Sequence, residues 1–85
     1  MDKSVDKSVG ERLAAVVAAH ELTATEISRR LGAEYTALSH FHRGRRAKLP
    51  GHVTVEQYVA LLEELTGKSA ADLGIGDLAR HVVAA

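Results

Sequence analysis

The sequence contains no cysteine, no tryptophan, one proline and one phenylalanine. Without cysteine there is no disulfide, no thiolate metal site and no cysteine nucleophile. The absence also fits a reducing compartment, and a cytoplasmic, nucleoid-associated location is expected. Aromatic residues make up only 4% of the 85 residues. A core must therefore come from Leu, Val, Ile and Ala, and abundant Ala and Leu favour helices over strands. Long apolar runs are missing as well: the longest, residues 13–19, has seven residues, against the ~20 of a spanning helix. The first residues are acidic and polar rather than basic then apolar, so no secretory signal is visible. A chain of this length suits one small domain, which buries roughly 60–65% of its unfolded surface. The expectation is a soluble all-α fold, a compact bundle of about five short helices, with no membrane partner.

Eleven Lys and Arg balance eleven Asp and Glu, but they are not evenly spread. Residues 1–22 carry Lys3, Lys7 and Arg12 against Asp2, Asp6, Glu11 and Glu21, a net −1. Residues 23–52 carry Arg29, Arg30, Arg43, Arg45, Arg46 and Lys48 against Glu26 and Glu34, a net +4. The remainder carries Lys68 and Arg80 against Glu56, Glu63, Glu64, Asp72 and Asp77, a net −3. His40, His42 and His52 also lie in the basic part and add charge below about pH 6.5. A basic centre between acidic flanks is either one face for a polyanion or a solvated basic loop.

Helix starts are legible. Ser8 with Glu11, Thr23 with Glu26, Thr54 with Gln57 and Ser69 with Asp72 each place a hydroxyl three residues before an acid or amide, the spacing of a capping box. Helically spaced apolar residues follow: Val9, Leu13, Val16 and Val17; Ile27 and Leu31; Val55, Tyr58, Val59, Leu62 and Leu65. Gly32, Gly44 and Gly67 fall where those patterns end, as C-terminal caps. Helices are thus predicted over about 9–20, 24–31, 35–43, 55–66 and from about 70. The last pattern is interrupted at Gly74-Ile75-Gly76, which allows two short helices with Asp77 capping the second. Residues 47–53, with Pro50 and Gly51, form the main loop. Asp-Lys-Ser-Val occurs twice, at 2–5 and 6–9. Residues 1–7 read as a flexible N-terminal extension, or as added turns of the first helix through Val5, Val9 and Leu13. Residues 8–85 read as the domain, with a helix-turn-helix over 23–43 and a basic loop over 43–53.

Residues 23–46 are the most informative. A short helix ends at Leu31-Gly32, a three-residue turn follows, and a second short helix begins near Tyr35. Ile27, Leu31, Leu38 and Phe41 point to a shared interior, and Ser28 is small where the helices cross. That arrangement is the helix-turn-helix unit, whose second helix has a size to enter the DNA major groove.

Here the chain resembles the Cro and lambda-repressor type, or XRE-type, helix-turn-helix family, from about residue 13 to residue 73. The carriers are Leu22-Thr23, then Glu26-Ile27-Ser28-Arg29-Arg30-Leu31-Gly32, then Leu38-Ser39, then Arg43-Gly44-Arg45-Arg46. Thr54-Val55-Glu56, Leu61-Leu62 and Leu65-Thr66-Gly67 resemble the family's fourth helix, and residues 69–73 the start of its fifth. The resemblance implies base readout by Tyr35, Thr36, Ser39 and His40, and phosphate contacts from Thr23, Arg43, Arg45, Arg46 and Lys48. The unit's own core would be Ile27, Ser28, Leu31, Gly32, Leu38 and Phe41. Two positions depart from the family. Ala24 stands where a supporting Gln is common, and Glu34 where a Ser-like cap is usual. Glu34 is either a cap, since a carboxylate suits a helix N-terminus, or a reader of a cytosine amino group. Arg43 either meets phosphate or pairs with an acid such as Glu26. Residues 47–53, longer than the family's usual link, are either an arm bearing Lys48 and His52 or an inert insertion. Tyr35 has the alternative of packing on the domain surface.

No metal site or cofactor is expected: His40 and His42, two apart on a helix, point about 200° from each other. No phosphate loop, nucleophile elbow or catalytic carboxylate pair is visible, so no enzyme is expected. Adjacent Glu63 and Glu64 read as a solvated face. The resemblance implies a double-stranded DNA partner and a homodimer on a two-fold operator. Leu78, Val82 and Val83 are the candidate dimer contact, with packing on the first helix as the alternative. The expected function is a transcriptional repressor. Two others stand beside it: an antitoxin that binds DNA and a toxin, and a protein-interaction module that grips another regulator.

Overall fold

A computed structural model describes residues 8–46 and 48–78. Four helices follow one another: α1 (Val9–Ala19), α2 (Ala24–Leu31), α3 (Tyr35–His42) and α4 (Val55–Thr66). A helical turn at 76–78 ends the described part, and no strand occurs among the described residues. The fold is an all-α bundle. The N-terminal extension, Val82 and Val83 lie outside the described residues.

The capping signals act as local chemistry requires. Ser8 with Glu11 and Thr54 with Gln57 form complete boxes, each hydroxyl accepting from the N3 amide and each N3 side chain accepting from the cap amide. Thr23 forms half a box. Its hydroxyl accepts from the Glu26 amide at 3.1 Å, but the Glu26 carboxylate turns to Arg30, 2.7 Å away, and to Arg29 at 3.6 Å. Two guanidiniums outcompete one neutral amide for that carboxylate.

Helix ends close by paired backbone bonds. After α2, the Ala33 amide donates to the Ser28 carbonyl and the Gly32 amide to Arg29, a Schellman turn that needs φ of +72° at Gly32. The same pattern ends α1, with Leu22 to Val17 and Glu21 to Ala18. There the left-handed position is held by Glu21, at φ 59°.

The expected helix from residue 70 is not a helix at first. Residues 70–74 form one hydrogen-bonded turn, closed by Ile75 donating to Ala70 and Gly74 to Ala71. Asp77 lies within the following turn rather than capping it. Both its oxygens accept from the Arg12 guanidinium, at 2.7 and 2.8 Å, while Arg12 also donates to the Gly74 carbonyl. This clasp ties the C-terminal turns to α1. Glu63 departs from its expected role as well: half-buried, it accepts from the Ala70 amide at 2.7 Å.

Leu13, Ile27, Leu38, Phe41, Tyr58 and Leu62 are fully enclosed in the core. α3 packs against both α1 and α2, and α2 against α4. α1 and α3 come close at Gly10 of α1, which is buried with its backbone against the Phe41 carbonyl.

Candidate nucleic-acid interface

Of the residues expected in the core of the helix pair, Gly32 is exposed and serves only as the left-handed cap of α2, while the other five are buried or pack against the core. Ile27, Leu38 and Phe41 have no exposure, Ser28 is buried, and Leu31 packs at the edge of the core. The Ser28 hydroxyl donates to the Thr25 carbonyl at 2.9 Å, so a polar side chain sits between helices without an unmet hydrogen bond.

Burial of Ala37, Leu38 and Phe41 orients α3. At 3.6 residues per turn, Tyr35, Thr36, Ser39 and His40 fall on the opposite side. Tyr35, Thr36 and His40 are exposed and Ser39 is half-buried. Tyr35 is 52% exposed, the one exposed large hydrophobic side chain among the described residues. His42 turns the other way. Its Nε2 lies 2.5 Å from the Tyr58 hydroxyl, and burial holds its pKa below the ordinary 6.5. His40 and His42 therefore serve different sides of the helix. Among the described residues no cluster of three metal-ligating side chains occurs.

Lys68, beyond α4, is exposed and without an acidic partner among the described residues; the other described Lys and Arg fall into two sets. Arg12, Arg29 and Arg30 are held in ion pairs. Arg43, Arg45, Arg46 and Lys48 are exposed, and none has an acidic partner within 4.0 Å among the described residues. Arg43 does not reach Glu26, whose carboxylate is already taken by Arg29 and Arg30. Thr23 is exposed at the head of α2, and its cap bond uses an oxygen lone pair, leaving the hydroxyl proton for an outside acceptor.

Glu34 occupies the N-cap of α3, at φ −68° and ψ 135°, yet its side chain makes no capping hydrogen bond. The carboxylate is exposed and has no ion-pair partner among the described residues. Glu34 therefore holds the N-cap position by its backbone, without a side-chain capping bond. Beside it, residues 31–34 and 50–53 face each other across an open cleft of about 390 Å³.

The loop between α3 and α4 is anchored to the core. Leu49 is 8% exposed and belongs to the core, while Lys48, Gly51 and His52 on either side are exposed. Sequence reading missed this anchor, although a lone Leu between Lys48 and Pro50 in an otherwise polar stretch was the available signal. Leu78, expected at a dimer contact, is 5% exposed and packs in the chain's own core.

No helix among the described residues is long and apolar enough to cross a membrane. Neither a family model, nor a curated protein, nor a solved structure matches the chain.

Proposed function

We propose that the protein is a sequence-specific double-stranded DNA-binding regulator of transcription, a repressor that occupies an operator and blocks promoter access. α2, the three-residue turn and α3 act as a helix-turn-helix, with α3 in the major groove. Tyr35, Thr36, Ser39 and His40 face base edges. Thr23, Arg43, Arg45, Arg46 and Lys48 meet phosphates, whose contribution is counterion release and carries no sequence information. One domain covers a half-site, so a homodimer on a two-fold operator follows.

The observation that carries this reading is the division of the cations. Arg12, Arg29 and Arg30 each have a carboxylate within 4.0 Å, while Arg43, Arg45, Arg46 and Lys48, clustered just after α3, are exposed with no acidic partner among the described residues. Unpaired positive charge beside an outward helix face is the electrostatic footprint of a polyanion partner.

A gel-shift titration with genomic fragments at two salt concentrations tests it. The expected result is one or a few fragments retained at high salt, over a broad background that salt removes. Retention of none at either salt refutes the proposal and leaves the protein-interaction reading, which the acidic Glu34 also suits.

A further inference from the structure

We propose that Glu34 is a specificity-determining residue whose carboxylate selects cytosine at one position of each half-site, by accepting from the N4 amino group in the major groove. This rests on the DNA-binding reading and adds a base identity to it. The carboxylate stands at the head of α3, exposed, with no capping bond and no cation beside it. Arg43, Arg45 and Arg46 lie past the other end of an eight-residue helix, about 12 Å along its axis. Glu34 is thus not neutralised within the chain, and it immediately precedes Tyr35 and Thr36, the exposed residues that open α3.

A free carboxylate carried between two rows of phosphates opposes binding unless a donor meets it. Only cytosine N4 and adenine N6 offer donors in the major groove. The adenine amino group stands between two acceptors, its own N7 and thymine O4, which repel the carboxylate lone pairs. The cytosine amino group has an acceptor, guanine O6, on one side only. Guanine and thymine present acceptors alone and leave the carboxylate without a partner. The order of preference at that position is therefore cytosine, then adenine, then guanine and thymine. The same charge lowers affinity for arbitrary duplexes, which sharpens selection.

The test is selection from a pool of randomised duplexes, sequenced after binding to the wild type, Glu34→Ala and Glu34→Gln. Circular dichroism checks that both variants keep the helical fold, as expected for a side chain without hydrogen bonds. In the wild type one position per half-site is expected to favour cytosine over guanine and thymine by about tenfold or more. Glu34→Ala flattens that position alone and raises affinity for unselected duplexes. Glu34→Gln shifts it to adenine, because a carboxamide matches the N7 and N6 pair. Identical base profiles in all three proteins, or equal loss at every position, overturn the assignment while DNA binding stands. If the wild type retains no duplex, the DNA-binding reading itself falls.

Discussion

Gly10→Ala is the sharpest probe of the packing that presents α3. A Cβ on Gly10 would stand 1.8 Å from the Phe41 carbonyl oxygen and 2.6 Å from its carbon, with Phe41 Cδ2 at 3.1 Å. Ordinary carbon–oxygen approach is about 3.3 Å, so the two backbones must part by more than an ångström. The obstacle is backbone held in a helix, not the end of a flexible side chain, so relief requires a shift of α1 against α3. Overpacking of that kind costs about 3 kcal/mol at the upper end of its usual range. Alanine recovers up to about 1 kcal/mol through helix propensity. The net loss is about 2 kcal/mol, which in a domain this small lowers Tm by about 8–16 °C. Thermal unfolding followed by far-ultraviolet circular dichroism reads it directly. Ala15→Gly, on the exposed side of the same helix, is the control and should cost only about 1 kcal/mol. A Tm for Gly10→Ala equal to or above wild type would refute the close approach, because propensity alone would then have decided the outcome.

Replacing Arg45 and Arg46 together by Ala should weaken binding to every duplex and flatten the salt dependence by about two units, whereas Tyr35→Ala or Thr36→Ala should relax discrimination between sequences. Equal loss on specific and random DNA from both sets, measured by anisotropy, would contradict that division. Since burial lowers the His42 pKa below 6.5, the unfolded chain takes up a proton at His42 before the folded one does. Its contribution is fully present above about pH 6.5 and is lost as pH falls from there through the folded value. Tm against pH should accordingly fall less steeply below 6.5 in His42→Gln than in wild type, and parallel curves would reject the assignment. Glu21→Gly should raise Tm by a few degrees, removing a left-handed cost of about 1 kcal/mol less the entropy glycine adds to the unfolded chain; a fall would mean Glu21 has a role its backbone does not show. Leu49→Ala should cost about 2–3 kcal/mol while Lys48→Ala leaves Tm unchanged, and equal effects would deny the loop its anchor.

Much of the fold was legible because helix ends are local events. A hydroxyl three residues ahead of Glu11 or Gln57, and a glycine after Leu31 or Thr66, determine boundaries through bonds spanning a few residues. All four helices accordingly begin and end within one residue of expectation. The 69–75 region misled for the same reason. Ser69 does accept from the Asp72 amide, but one turn later Gly74 at φ 80° reverses the chain, and the distant Glu63 carboxylate takes the Ala70 amide. Long-range polar contacts such as Arg12 with Asp77 leave no periodic trace and were not anticipated. For the candidate site, charge distribution located the basic stretch, while the positions singled out on α3 and the departure at Glu34 came from the family resemblance. Neither showed which arginines have a carboxylate partner, since that depends on whether one lies within reach in three dimensions. Arg29 and Arg43 look alike as letters and differ because Glu26 sits one turn from the first.

The buried side chain of Leu49 has a mechanical consequence. A span pinned at its middle moves as two short tethers, each sweeping a far smaller volume than one long flap. If the proposed docking takes place, Lys48 and His52 meet the partner from nearly fixed posts, and the freedom they surrender is that of side chains rather than of a whole backbone segment.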